Sequence, residues 1–223
     1  MEALKEQIRL DREIEDTKCR LAANHKDFNL MDAFSMIDVF SKGWVTAPEI
    51  FEALQTLGCF PHKDDVHLFV RRFDKDSDGR ILYSDFCDAV SPKDEFLSTE
   101  MTKRPAYHIH RGYCRTHFFA QDTRDLFLSL FRIHFQNEDA AELLRKRIAR
   151  RPDFNVHDAF LTIDREGNGF LSKFEMRNFL AENGIFPTEN EIAMLVDRYD
   201  RNRDGRISYE EFMEELIPKT PAS

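Results

Sequence analysis

Two short stretches carry side-chain oxygens at a spacing that could do chemistry. DKDSDGRILYSD runs from Asp74 to Asp85, and DRNRDGRISYEE from Asp200 to Glu211. Each sets an acid or amide at every second position and then a glycine. Asp74, Asp76 and Asp78 would repel one another strongly without a cation among them. Oxygen donors of this kind suit a hard divalent cation. Zinc is not expected, because Cys19, Cys59, Cys87 and Cys114 are scattered and form no CxxC pair. They read as free thiols in a reducing compartment.

The elements that must position these loops form a repeat. DFNLMDAFSMID begins at Asp27 and DFNVHDAFLTID at Asp153, an offset of 126 residues (153 − 27). The same offset carries Asp74 to Asp200, Gly79 to Gly205, and Gly58-Cys59-Phe60-Pro61 to Gly184-Ile185-Phe186-Pro187. Within each copy two loops begin 36 residues apart, at Asp38 and Asp74 (74 − 38) and at Asp164 and Asp200 (200 − 164). Val66, Phe69, Val70 and Phe73 precede one loop at helical spacing; Ile192, Leu195, Val196 and Tyr199 precede its copy. Each unit reads as helix, twelve-residue loop, helix. Pro61 and Pro187 fall in the connectors.

These loops resemble those of the EF-hand superfamily, with four hands in two pairs as in calmodulin and centrin. The resemblance covers about 27–90 and 153–217. It implies an all-α fold: two EF-hand pairs, each with a short antiparallel β bridge between its loops, joined by a long, partly helical central segment. Val45 would face Ile81, and Leu171 would face Ile207. It also implies calcium ligands at loop positions 1, 3, 5, 7, 9 and 12, with glycine at 6. In the fourth hand these are Asp200, Asn202, Asp204, the Arg206 carbonyl, Ser208 and Glu211, so every position is satisfied. In the second hand they are Asp74, Asp76, Asp78, the Arg80 carbonyl and Asp85. Leu82 at position 9 cannot ligate, and Asp85 is one methylene shorter than glutamate. That site is expected to bind more weakly, with magnesium as a candidate ion beside calcium. The third hand keeps Asp164, Glu166, Asn168, Ser172 and Glu175, and a weak site or an empty structural loop both remain open. The first hand has Phe40 and Lys42 at positions 3 and 5. It should exclude a divalent ion and serve as a structural partner.

The segments read as an N-terminal helix (1–24), a first pair (25–91), a basic and aromatic linker with helices (92–152), a second pair (153–218) and a tail (219–223). Residues 101–121 contain no acid and carry Lys103, Arg104, Arg111 and Arg115 among aromatics. This stretch is expected to dock on an acidic protein surface or to bridge the lobes. His108 and His110 lack supporting ligands and read as surface or packing residues. A helix is expected from the Asp122 cap, with Leu126, Phe127, Leu130, Phe131 and His134 on one face. A second is expected from an Asn137 cap. The N-terminal helix carries two narrow stripes, Leu10/Ile14/Leu21 and Leu4/Ile8/Cys19. It is expected to pack on the first pair, or else to form a coiled coil with a partner.

The net charge of −9 and pI near 5.4 argue against a nucleic-acid binder. The start, MEALKEQIRLDREIED, has no apolar core, so a signal peptide is not expected. Its second residue is Glu2 where myristoylation needs a glycine, so that modification is not expected either. No apolar run is long enough for membrane insertion. No nucleophile–base set or phosphate loop is present, so an enzyme is not expected. The function read here is a calcium-binding regulatory or structural subunit of a larger assembly with protein partners. Its expected address is cytoplasmic and cytoskeletal, with the ciliary axoneme as a guess. The alternative is a calmodulin-like sensor that captures amphipathic helices. The composition of 21 Phe against 7 Met favours the fixed role.

Overall fold

The computed structural model describes residues 2–107 and 115–220. His108, His110, Arg111, Tyr113 and Cys114 lie outside the described residues. In chain order the elements are α1 (Glu2–Asn24), α2 (Leu30–Ser35), β1 (Trp44–Thr46), α3 (Ala47–Thr56), α4 (Lys63–Phe73), β2 (Arg80–Leu82) and α5 (Tyr83–Val90). Then follow α6 (Glu95–Thr102), a 3₁₀ turn at Arg115–His117, α7 (Gln121–Ala149), α8 (Val156–Ile163), β3 (Phe170–Leu171), α9 (Lys173–Glu182), α10 (Glu189–Tyr199), β4 (Ile207–Ser208) and α11 (Tyr209–Leu216). The fold is all-α with two short β bridges, as the resemblance implied. β1 pairs antiparallel with β2 and places Val45 opposite Ile81; β3 pairs with β4 and places Leu171 opposite Ile207. All four of these side chains are buried. None of the described helices is long and apolar enough to cross a membrane.

The chain divides into two compact units. One is Glu13–Glu138; the other is Met1–Arg12 with Asp139–Ser223. The two cuts, after Arg12 and after Glu138, fall inside α1 and α7.

In the unit Glu13–Glu138 the core is aromatic. Phe28, Phe69 and Phe86 come from the first pair and Phe127 and Phe131 from α7, and all are buried. Phe127 lies 5.4 Å from Phe28 and 6.3 Å from Phe86, centroid to centroid. Phe69 lies 5.3 Å from Phe131 and 5.9 Å from Phe135. Tilted and edge-on pairs of this kind each add roughly 0.5–1.5 kcal/mol beyond their buried area. The first pair is thus completed by a helix from outside the repeat.

The described parts of the acid-free stretch are spent in the same unit. The Arg104 guanidinium donates to the carbonyls of Ala22, His25 and Phe28, capping the end of α1. Phe119 packs 5.1 Å from Phe28, and Arg115 donates to Thr56 Oγ1 at 3.2 Å. In those parts Arg104 and Arg115 satisfy oxygens of their own chain.

The expected break at Asn137 is absent, and α7 runs through it. Asn137 is buried at 2% exposure, no glycine or proline interrupts 121–149, and the residues on either side are good helix formers. An N-cap residue type marks a start only where the chain turns.

The second unit has its own core, mixed aliphatic and aromatic. Phe160, Ile163, Leu171, Leu180, Ile192, Val196, Ile207 and Phe212 cluster with Ile8 of α1. The N-terminal part of α1 therefore packs on the second pair. The expectation that α1 serves the first pair holds only from Glu13 onward. Glu142 of α7 ties down the tail, accepting from the backbone N–H groups of Lys219 and Thr220. Burial pushes this carboxyl up, but those hydrogen bonds and the one from Arg145 outweigh it and hold it below the usual carboxylate value.

Candidate metal centre

All four loops share one backbone. At position 4 Ser41, Ser77, Gly167 and Arg203 have φ between 53° and 63°. At position 6 Gly43, Gly79, Gly169 and Gly205 have φ between 81° and 83°, the left-handed region where a side chain is strained. At position 1 the carboxylates of Asp38, Asp74, Asp164 and Asp200 each accept from the N–H at positions 5 and 6. For the glycine N–H the distances are 2.7, 2.7, 2.9 and 2.7 Å. All four aspartates are buried. The loop is therefore preformed by the chain itself, even where ligands are missing.

The hands differ at their closing position. In the fourth, Glu211 Oε1 accepts from the backbone N–H of Arg201 at 3.0 Å, and Oε2 accepts from the N–H and hydroxyl of Ser208. Asn202 Oδ1 accepts from Asp204 N–H at 2.9 Å, and Asp204 Oδ1 accepts from Arg206 N–H at 2.9 Å. The side-chain oxygens at positions 1, 3, 5 and 12 are thus held by amides around one loop. Ser208 and Glu211 also form the capping box of α11, so one pair both starts the exit helix and stands at loop positions 9 and 12. The third hand repeats this, with Glu175 accepting from Arg165 and Ser172. Burial pushes Glu175 up, and these hydrogen bonds more than reverse it. The long Glu166 side chain turns to Asn168, whose amide donates to it at 3.0 Å.

In the second hand Asp74, Asp76 and Asp78 can bring one ligand atom each to within 4.8 Å of one another. Asp76 is pushed above the usual carboxylate value, chiefly by its hydrogen bond with Asp74, then by burial, then by the charge of Asp78. Crowded acids of this kind are what a hard cation relieves, so the residues fit one. Asp85 is buried and, among the described backbone groups, accepts only the Leu82 N–H, at 3.1 Å. It is too short to span the loop as Glu211 does. Lys75, at position 2, instead brings its ammonium to 3.6 Å from Asp85 Oδ1 and bonds Asp88. Arg80 opens β2, which places its carbonyl at the loop's seventh position.

In the first hand Glu49 Oε2 accepts from the N–H and hydroxyl of Thr46, at 3.0 and 2.8 Å. Its Oε1 accepts from the Lys42 ammonium at 2.6 Å. Phe40 at position 3 is 73% exposed and offers no oxygen. Burial raises Glu49, and the bonds from Lys42 and Thr46 bring it below its ordinary value. The two lysine contacts were not read from the sequence. The signal for the first was present: opposite charges at positions 5 and 12 of a loop whose ends must converge.

Comparison with known proteins agrees with this geometry. Residues 27–91 and 153–217 each match the EF-hand domain pair family, together more than half of the chain. Over 181 residues the chain is 28% identical to putative calmodulin-like protein 6 of Oryza sativa subsp. japonica, covering 81% of this chain and 77% of that protein. Over 68 residues, 30% of this chain, it is 40% identical to calcium-binding protein 8 and 38% identical to calcium-binding protein 7 of Homo sapiens. It spans only 26% and 32% of the length of those two proteins. Four preformed loops in two bridged pairs, the family match over both copies and these relatives make the chain a member of the EF-hand family, a calcium-binding protein with two EF-hand pairs.

Proposed function

We propose that the protein is a calcium-responsive regulatory or structural subunit of a larger protein assembly, not an enzyme and not a free target-capturing sensor. One observation carries this reading. The aromatic face of the first pair is already filled by Phe127, Phe131 and Phe135 of α7. A sensor that captures target helices needs that face open. A tethered occupant competes at high effective concentration, so capture by this pair requires α7 to leave.

The ion sites are ranked by ligand completeness. The fourth hand binds calcium best. The second binds next and accepts magnesium, because Asp85 cannot readily give two oxygens. The third is a weak site or an empty structural loop, and the first takes no divalent ion. The proposed address is cytoplasmic and cytoskeletal, with the axoneme as one location to test by tagging. It follows from the assembly role rather than from any targeting segment.

Calcium titration tests this reading, followed by heat, by near-UV signals from Trp44 and the tyrosines, and by an apolar dye in the same samples. Binding with stabilisation and no new dye signal is expected. A large rise in dye binding would favour the calmodulin-like sensor instead.

A further inference from the structure

The first hand keeps the loop backbone of its relatives while lacking two of their ligands. Ser41 and Gly43 hold φ of 53° and 82°, and Asp38 accepts the Lys42 and Gly43 N–H groups at 3.0 and 2.7 Å. The difference lies at Glu49. In the third and fourth hands the equivalent Oε1 is held by backbone N–H groups across the loop. Here it is held at 2.6 Å by the Lys42 ammonium, and Lys42 and Glu49 are both about one-quarter exposed. The same ammonium stands 3.6 Å from the centroid of Trp44, which also meets the Arg80 guanidinium at 4.3 Å. A cation is thus fixed between the loop's closing acid and the aromatic ring that begins β1.

We propose that the Lys42 ammonium is the resident cation of the first hand. It takes the contact with the closing acid that a divalent ion takes in a loaded hand. The loop then stays ordered at any calcium level, and β1 stays in register with β2: Trp44 faces Leu82, Val45 faces Ile81 and Thr46 faces Arg80. The second hand therefore meets its ion beside a partner that is already set. This inference rests on the EF-hand reading but not on the assembly role.

The test uses the full chain in chelator, unfolded by urea and followed by Trp44, its only tryptophan. A double-mutant cycle of Lys42→Met and Glu49→Gln is expected to give coupling of about five- to tenfold in the unfolding constant. The exposed pair Lys103 and Glu100, at 67% and 50% exposure, serves as control and should stay within about twofold. Lys42→Arg, which keeps the cation, should retain most of the stability. Coupling at Lys42–Glu49 no larger than the control would overturn the proposal. A second variant, Phe40→Asp with Lys42→Asp, supplies acids at positions 3 and 5. It should lose stability in chelator and gain more from calcium than the wild type does. An equal calcium response would also overturn the proposal, whatever the fourth hand binds.

Discussion

The two pairs share a backbone and differ in what faces their closing acids. In the second pair Glu175 and Glu211 reach across their loops to backbone amides. In the first pair each closing acid meets a lysine of its own loop, Glu49 at Lys42 and Asp85 at Lys75. Amides belong to the loop and move with it, so a divalent ion that takes the glutamate only exchanges one set of partners for a stronger one. A lysine carries its own charge and must be displaced or tolerated. The cores differ in what completes them. The first pair is closed by aromatic residues of α7; the second has a mixed aliphatic and aromatic cluster joined by Ile8. The first pair thus holds both closing acids with charged side chains, and the second with backbone amides.

The largest effect that could break this comparison lies in the first core. Phe127 is fully buried and touches both Phe28 and Phe86. Phe127→Ala should cost about 3–5 kcal/mol in the unit that holds the first pair. It should also raise apolar-dye binding in the absence of calcium. Urea unfolding followed by Trp44 reads the first and dye emission the second. A loss under about 1 kcal/mol would mean that α7 does not complete this pair.

The next effect tests the second pair. Glu211→Gln keeps the shape of the side chain and removes its charge, so calcium affinity at the fourth hand should fall on the order of a hundredfold. Titration calorimetry would show loss of the tightest site. Asp85→Glu at the second hand should act in the opposite sense, tightening calcium more than magnesium, by roughly tenfold. If neither ion responds to the longer acid, the second loop does not bind as its ligands suggest.

Lys75 gives a smaller change. Its side chain is about half exposed and lies 3.6 Å from Asp85 Oδ1. Removing the ammonium frees the carboxylate and removes a positive charge from the loop, so Lys75→Gln should tighten ion binding by a few-fold. The gain should shrink as salt rises, because exposed charges are screened. A gain that ignores salt would place the cause elsewhere.

How much of this was legible depended on range. The loops and their order within each copy followed from ligand types at fixed short spacing, and the facing of Val45 with Ile81 from the resemblance to the EF-hand superfamily. The burial of Phe127 and Phe131 also followed from helical period. Period cannot say which surface a stripe meets, so the seat of α7 in the first pair was not readable. Nor was the continuity of α7, since Asn137 has the residue type of a cap and the sequence does not show whether the chain turns there. The split duty of α1 was hidden because its stripes, Leu10/Ile14/Leu21 and Leu4/Ile8/Cys19, are each too narrow to assign to one partner. Lys42 and Glu49 could have been paired from sequence. Only seven residues separate them (49 − 42) within a loop that closes on itself. Lys75 was harder, because its reach to Asp85 depends on that acid being too short to engage the loop.

The smallest prediction isolates one hydroxyl. In the fourth hand Ser208 and Glu211 cap α11 reciprocally, and Glu211 N–H donates back to Ser208 Oγ at 3.3 Å. In the second hand Leu82 stands where Ser208 does in the repeat, and it is 41% exposed. Only one half of the box survives there, the bond from Leu82 N–H to Asp85. Leu82→Ser restores the side-chain acceptor for the first turn of α5 and buries no new apolar surface. It should stabilise the unit by about 1 kcal/mol in chelator. It also returns an oxygen to position 9, so the ion-bound protein should gain somewhat more than the ion-free protein. Equal gains in both states would mean that the hydroxyl acts only as a helix cap. A loss in chelator would mean that Leu82 contributes more through its apolar contacts than the missing cap costs.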